Sequence, residues 1–290
     1  RLGQESPRPQ TAGRRHRPGL TRMAVASLND NEFGLLRDWV YEQAGISMSP
    51  AKKPLVMSRL QKRLLHCGLD SYGDYYRLIS DPREQQEAQI ALDLLTTNET
   101  YFFREPRHFD FMRERAVPER RPGTTYRVWS AACSSGEEPW SIAMTLAAML
   151  GENGWEMLAS DISTRVLARA QSAHYAMERA EHIPRPLLTR YCLRGVRSQE
   201  GTFRIVPELR RRVRFVQVNL IAPLPDVGMF DLIFLRNVLI YFDMETKAKV
   251  VKQLCAALRP GGYFFCGHSE SLHGMNLPLN TIHPAIYQRQ

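Results

Sequence analysis

Between residues 97 and 104 the chain reads Thr-Asn-Glu-Thr-Tyr-Phe-Phe-Arg, crowding amide, hydroxyl, aromatic and guanidinium groups together ahead of a break at Pro106. Polar groups held among aromatics lose hydration, so such a cluster is costly unless it binds something. Downstream, the strand-like Tyr126-Arg127-Val128-Trp129-Ser130-Ala131 runs into Ala132-Cys133-Ser134-Ser135-Gly136-Glu137-Glu138-Pro139, and Leu158-Ala159-Ser160-Asp161-Ile162 follows. Strand, small-residue turn, helix and a second strand ending in an acid are the parts of a nucleotide-type pocket.

The turn holds one glycine, Gly136, and the helix after it opens with Glu137, Glu138 and Pro139. Two carboxylates suit the positive end of a helix dipole but would repel a pyrophosphate, so the usual dinucleotide fingerprint is absent and a phosphate-bearing cofactor is disfavoured. A cofactor with a ribose and a cationic end fits better. Asp161, closing the second strand, is placed to accept hydrogen bonds from ribose hydroxyls; the competing reading makes it a helix N-cap, with Ser163 as rival. S-adenosylmethionine carries such a ribose, an adenine, an amino-acid end and a sulfonium. A later strand, Phe230 to Leu235, ends in Arg236-Asn237-Val238-Leu239-Ile240-Tyr241, polar groups that belong at the same end of the sheet. The Asn/Asp-Pro-Pro-aromatic motif of nucleobase aminomethyltransferases is missing there. Leu258-Arg259-Pro260-Gly261-Gly262-Tyr263 reads as turn chemistry.

The elements that must position these groups fall into two regimes. At 290 residues the chain is long enough for two domains. From Asn29 to Leu95 the apolar spacing is helical: Phe33, Leu36, Val40 and Tyr41 follow an Asn29 or Asp30 N-cap and stop at Gly45, and a second helix spans Ala51 to Cys67 before Gly68. Shorter helices follow Ser71 and Asp81-Pro82, about four in all. Residues 113–125 are charged and broken by Pro and Gly, as a linker would be. Beyond them, apolar runs at 126–131, 155–160, 213–218, 230–235 and 262–267 alternate with helical patterns at 137–150, 163–173 and 244–258, which predicts an α/β fold with a parallel sheet covered on both faces. Ala285 to Gln288 reads as a last strand. The Pro- and Gly-punctuated stretch from Tyr175 to Arg212 reads as an inserted subdomain with a small antiparallel hairpin. The expected division is a basic disordered leader over 1–22, a helical domain over 23–95, a linker and cofactor-binding segment over 96–125, and the cofactor domain over 126–290 with the β insertion at about 190–212.

The net charge of +9 suggests nucleic acid until it is located: residues 1–22 hold six Arg and one Glu, leaving +4 for the rest. The leader is read as a disordered tail or an extension upstream of Met23 rather than a nucleic-acid arm. Five cysteines form no C-x-x-C pair and have no His at zinc-ligand spacing, so reduced thiols and no metal are expected. No apolar run approaches the roughly 20 residues of a membrane span, and any membrane association is expected to be peripheral.

Taken together, T-N-x-T-x-F-F-R, S-A-A-x-S-x-G-E-E-P-x-S, A-S-D-I, R-N-V-x-I-Y-F-D and G-H-S-E resemble the CheR-type chemotaxis receptor glutamate O-methyltransferases, in order and spacing from about residue 28 to 288. The resemblance implies a helical N-terminal domain, a Rossmann-like class I methyltransferase sheet with a last antiparallel strand, and a small inserted β-subdomain. It implies S-adenosyl-L-methionine as cofactor, S-adenosyl-L-homocysteine as product, and methyl ester formation on receptor glutamates for sensory adaptation. Asn98, Thr100, Arg104, Glu138, Asp161, Asn219, Leu220, Arg236 and Asn237 are its implied cofactor contacts, and Tyr241 an aromatic near the transfer site. Glu99 stands where relatives often have an apolar residue, and Cys133-Ser134-Ser135 replaces a small-residue turn of different identity.

A glutamate carboxylate, with a pKa near 4.3, is already nucleophilic at neutral pH. Catalysis then rests on alignment, for which Arg104 and Tyr241 are the candidate catalytic residues. The expected partners are the cytoplasmic domains of transmembrane chemotaxis receptors, at the inner face of the membrane, with no nucleic acid and no membrane insertion. For an acidic receptor helix, Lys52, Lys53, Arg59, Lys62 and Arg63 offer a basic face, unless they form an ordinary solvated one. Gly195, Gly201 and Arg204 resemble positions where some members dock a receptor C-terminal peptide on a sheet edge; serving turns is the alternative for the glycines. Gly267-His268-Ser269-Glu270-Ser271 lacks the second glycine of a nucleophile elbow, and a hydrolase is rejected. A non-enzymatic receptor adaptor and a nucleic-acid methyltransferase stay as alternatives.

Overall fold

The computed structural model describes residues 27–290, and the basic leader lies outside the described residues. Asn29 opens the first helix with a reciprocal cap, its side chain accepting from the Glu32 amide while the Glu32 carboxylate accepts from the Asn29 amide. Helix α1 (Asp30–Ala44) stops at Gly45, where φ is 71° and a Cβ would meet Ile221 and Thr246 at 2.8 and 2.9 Å. Helices α2 (Lys53–Cys67), α3 (Tyr72–Ile79) and α4 (Gln85–Leu95) complete the helical domain. Their apolar faces, including Leu36, Val40, Leu60, Leu64, Tyr75 and Leu95, close one core.

Part of the expected linker is ordered core wall. Helix α5 (Pro106–Phe111) continues as a π-helical turn through Ala116, burying Phe109, Phe111, Met112 and Val117 against the sheet. Arg113, Glu114 and Arg115 cover its outer face, which is why the sequence reads as a connector.

Then follow β1 (Tyr126–Ser130), α6 (Glu137–Leu150), β2 (Trp155–Asp161), α7 (Thr164–Ser172), β3 (His174–Ala176), α8 (Arg185–Tyr191), β4 (Cys192–Arg194), β5 (Thr202–Ile205), α9 (Pro207–Arg210), β6 (Val213–Gln217), β7 (Phe230–Leu235), α10 (Met244–Ala257), β8 (Leu258–Cys266), β9 (Leu279–His283) and β10 (Ile286–Arg289). The main sheet has seven strands in the order β6-β2-β1-β7-β8-β10-β9. The first five are parallel, with Trp129 of β1 level with Leu158 of β2 and Ile233 of β7. Their apolar continuity follows from burial on both faces. β10 is the expected antiparallel closing strand, paired to β8. A further strand, β9, forms the edge from Leu-Asn-Thr-Ile-His, which has no apolar run to announce it. The inserted sheet has three strands, β3-β5-β4, and takes its first from 174–176, upstream of the 190–212 span.

The helical domain is bolted to the carboxyl ends of the parallel strands. Asp93 of α4 accepts from the Thr164 and Arg165 amides at 3.1 and 3.0 Å and from the Thr164 hydroxyl, capping α7 from another domain. The Tyr41 hydroxyl donates to Asp243 at 2.5 Å, the Ser47 amide to the Tyr241 carbonyl at 2.8 Å, and the Asn219 amide group to the Gln43 carbonyl at 2.8 Å. No helix among the described residues is long and apolar enough to cross a membrane.

Candidate active site

β1 is flanked by β2 on one side and β7 on the other, so the chain reverses its direction of travel across the sheet beside β1. Ligands of open α/β sheets bind at such a point, beyond the carboxyl ends of the strands. A cleft opens there with about 1210 Å³ free of protein atoms, part of it open solvent. Asn98, Thr100, Arg104, Glu138, Asp161, Asn219, Leu220, Arg236, Asn237 and Tyr241 all line it, drawn together from five stretches of chain. The helical domain supplies a wall of Ala44, Ile46, Ser47, Met48 and Leu55 that the sequence did not announce.

The turn after β1 is built on Gly136, whose φ is 98° and where a Cβ would lie 2.6 Å from the Tyr175 hydroxyl and 2.9 Å from the Ala170 Cα. Only glycine meets both conditions. The next two residues are buried carboxylates, and each has a cation. Glu137, with no exposed surface, accepts from Arg179, and its other oxygen accepts from the Ser135 hydroxyl at 2.7 Å. Glu138 accepts from the Ser130 hydroxyl and from Arg236 Nε, both at 2.7 Å. Arg236, 6% exposed, also donates Nη1 to the Arg104 carbonyl at 2.7 Å. It therefore ties the 97–104 segment to the sheet.

Asp161 ends β2, 8% exposed, with one oxygen accepting from the Ser134 amide at 2.8 Å and the other from the Ser163 amide at 3.0 Å. Burial raises its pKa, against the pull of those amides. Ser163, not Asp161, caps α7 through the Val166 amide, so the rival role is filled. An ionised carboxylate has about four acceptor positions, more than the Ser134 and Ser163 amides fill, and Asp161 lines the cleft.

Asn98 receives the Ser134 hydroxyl on its carbonyl at 2.9 Å, and Arg104 curls back over its own loop, donating to the Glu99 carbonyl at 3.1 Å. Ser134 and Asn237, both at the cleft, have φ of 48° and 58°, and Phe103 and Glu105 beside Arg104 have 54° and 56°. Left-handed backbone costs about 1–3 kcal/mol per non-glycine residue and gathers at sites where the surroundings over-determine it. Glu270 of the G-H-S-E motif is one such determinant. Its buried carboxylate accepts from the Gly267, Asn237 and Ile240 amides at 2.6, 2.8 and 3.2 Å, shaping the loop that presents Asn237 and Tyr241. Burial raises its pKa.

Glu105, His108 and His268 bring metal-ligand atoms within 4.8 Å of one another. The Arg236 guanidinium stands in the same cluster, 3.1 Å from His108 Nδ1 and 3.6 Å from Glu105. A resident cation already balances the carboxylate, and no metal is assigned. Burial, with Arg236 and His268 adding to it, pushes the His108 pKa down to about 3, so the ring is neutral.

The basic residues of the second helix divide. Arg63 grips Glu87 through two nitrogens, with the Tyr75 hydroxyl on the same carboxylate at 2.6 Å. Arg59 donates to the Leu95 and Thr96 carbonyls at 3.1 and 3.0 Å, closing the end of α4. Both are structural cross-links, a correction to the continuous basic face. Lys53 pairs with Asp30 at 2.6 Å, Lys62 is exposed, and Lys52, just ahead of α2, is exposed at the rim of the cleft. Gly195, Gly201 and Arg204 lie apart on the inserted sheet. A Cβ at Gly195 would overlap the Gln199 carbonyl oxygen at 1.9 Å, and Gly201 has φ of 78°, so both glycines serve turns. Gly195 and Arg204 nonetheless border a shallow groove with Leu193 and Val196.

The donor set suits a cofactor with hydroxyls and positive charge. Two buried carboxylates, Glu138 and Asp161, face the cleft, and its walls are largely apolar.

Comparison with known proteins agrees with this geometry. The SAM-binding domain of CheR methyltransferase matches residues 98–287, and the all-alpha domain of CheR methyltransferase matches residues 31–96. The chemotaxis protein methyltransferase of Escherichia coli is 42% identical over 264 residues, covering 90% of this chain and 91% of that protein. Chemotaxis protein methyltransferase 2 of Pseudomonas aeruginosa is 42% identical over 260 residues, covering 88% and 92%. A likeness in fold to the N-methyltransferase NodS of Bradyrhizobium japonicum, solved with S-adenosyl-L-homocysteine, is remote, with 15% identity, 67% of this chain and 71% of that one covered, and a TM-score of 0.34. With matched domains spanning nearly all the described residues and relatives this similar end to end, the chain belongs to the CheR methyltransferase family.

Proposed function

We propose that this protein transfers a methyl group from S-adenosylmethionine to glutamate side chains of the cytoplasmic domains of chemotaxis receptors, forming methyl esters. The observation that carries the reading is the convergence of eight motif residues, with Asn219 and Leu220, on one cleft in a chain of this family. The cofactor, when bound, supplies an electrophilic methyl group on a sulfonium. Asp161 would take ribose hydroxyls, and Asn98, Thr100 and Glu138 would receive the amino-acid end. Arg236 and Asn219 act mainly by holding the walls, since their side-chain groups are engaged with Glu138, the Arg104 carbonyl and the Gln43 carbonyl.

The incoming glutamate needs no general base because its carboxylate is ionised at neutral pH. Tyr241 and Arg104, both lining the cleft, orient it for in-line attack, and alignment of this kind recovers roughly 7–11 kcal/mol of a barrier. Arg104 is half-exposed, so it steers the carboxylate without binding it so tightly that the ground state is over-stabilised. Lys52 at the rim of the cleft and the exposed Lys62 further along α2 would attract an acidic receptor helix. β4 pairs with β5 on one side only, so its outer edge is available for a receptor C-terminal peptide added as a strand.

Labelled methyl transfer from S-adenosylmethionine to receptor cytoplasmic fragments, followed by base-labile release of methanol, tests the reaction. Base-stable label would mean N-methylation and would defeat the ester assignment. In the same assay Arg104→Ala is expected to lose about a hundredfold in turnover with little change in melting temperature; full turnover would remove Arg104 from the transfer step.

A further inference from the structure

The inserted β-subdomain meets the cofactor segment through a residue that no motif singles out. Arg179 lies in the short helical turn after β3. Its Nε donates to Glu137 at 3.0 Å, its Nη2 donates to the same carboxylate oxygen, and Nη2 also donates to the Thr100 carbonyl at 3.3 Å. One guanidinium thus joins the turn after β1 to the 97–104 segment. A second chain runs in parallel: the Phe103 amide donates to the Ser141 hydroxyl at 2.9 Å, and that hydroxyl donates to the Glu137 carbonyl at 2.7 Å.

Aromatic packing follows the same line. Phe102, fully buried, stands edge-on to Tyr175 at 5.1 Å and tilts against Phe203 at 5.8 Å, both from the inserted sheet. Tyr101 meets His182 at 5.1 Å, and the Tyr175 hydroxyl donates to the Ser135 carbonyl at 2.7 Å. Neither Arg179 nor Glu137 lines the cleft, whereas Thr100 and Glu138 do.

We propose that Arg179 is a positioning residue for cofactor binding, through which the β-subdomain holds the 97–104 segment against the turn after β1 and so sets affinity for S-adenosylmethionine. The proposal rests on the cofactor reading above. A planar fork can serve two acceptors in fixed directions, which a lysine ammonium on a flexible stem does not reproduce. Removing the arginine alone would strand a fully buried carboxylate, so two variants of the full chain are used. Arg179→Lys keeps the charge and loses the fork. Arg179→Met combined with Glu137→Gln removes both charges and leaves no unpaired ion.

Titration calorimetry with S-adenosylhomocysteine should show about tenfold or greater weakening in each folded variant, equivalent to about 1.4 kcal/mol or more. The loss in turnover should fall on KM for S-adenosylmethionine more than on kcat, and KM for receptor should stay level. Melting temperature serves as the fold control, which a purely structural role would move without this KM split. Product affinity within twofold of wild type in both variants would overturn the role of Arg179 alone. Absence of product binding by the wild-type protein would overturn the cofactor reading and this proposal together.

Discussion

Glu137, Glu138, Asp161 and Glu270, at the carboxyl end of the sheet, are between 0% and 8% exposed, while Lys52 and Lys62, beside and on α2, stand in solvent. Glu137 and Glu138 are neighbours in sequence, whereas Asp161 and Glu270 join them at this end of the sheet only in the fold. At the sheet end every carboxylate has partners, because an ion without them could not remain buried: arginines for Glu137 and Glu138, backbone amides for Asp161 and Glu270. On the second helix the fold sorts the cations by direction. Those that turn inward, Arg59 and Arg63, become cross-links, while Lys52 and Lys62 stay exposed. A charge at the sheet end is thus bound to the architecture, and a charge on Lys52 or Lys62 is left in water.

The strongest way to break this contrast is Glu138→Ala, which leaves Arg236 buried without its carboxylate. It should cost about 3–5 kcal/mol of stability, measured by urea unfolding; a loss under about 1 kcal/mol would mean that Arg236 is effectively solvated. His108 extends the test to pH. Its folded pKa of about 3 lies below the ordinary 6.5, so the unfolded chain takes up a proton that the folded one refuses. Stability should therefore fall as pH drops below 6.5, by about 3 kcal/mol at pH 4 from this group. His108→Gln should flatten the curve by that amount, and an unchanged slope would refute a neutral buried ring. The smallest effects separate two neighbours on α2. Arg63→Ala should cost about 2 kcal/mol by stranding Glu87, whereas Lys62→Glu should change stability by less than about 0.5 kcal/mol and instead raise KM for receptor. Equal stability losses would erase the distinction.

Much of the fold was legible because it rests on local signals. The Asn29 cap, the Gly45 and Gly68 stops, the alternation of strand and helix after residue 125 and the antiparallel closing strand all appear where their residues indicate. The 106–116 helix and β9 were not legible. In the first, surface charge hides a buried aromatic face; in the second, an edge strand needs no apolar continuity because only one side is paired. At the site, residues from five stretches could be named in advance, and the structure places them along one cleft. Arg179 gave no signal, since an arginine in an irregular insertion resembles its exposed neighbours until Glu137 is seen against it. The basic helix misled for the same reason: periodicity assigns residues to a face but not the identity of what that face meets.

The chain's own order of residues settled the succession of helices and strands, the glycine-dependent turn at Gly136 and the chemical types available at the strand ends, because these depend on neighbours a few positions apart. Only tertiary structure decided which charges are buried and with whom, that Asp93 caps a helix of the other domain, and that Arg179 of the inserted β-subdomain bonds to the 97–104 segment. Those outcomes depend on desolvation, and desolvation is set by residues tens of positions away that come together only when the domains close.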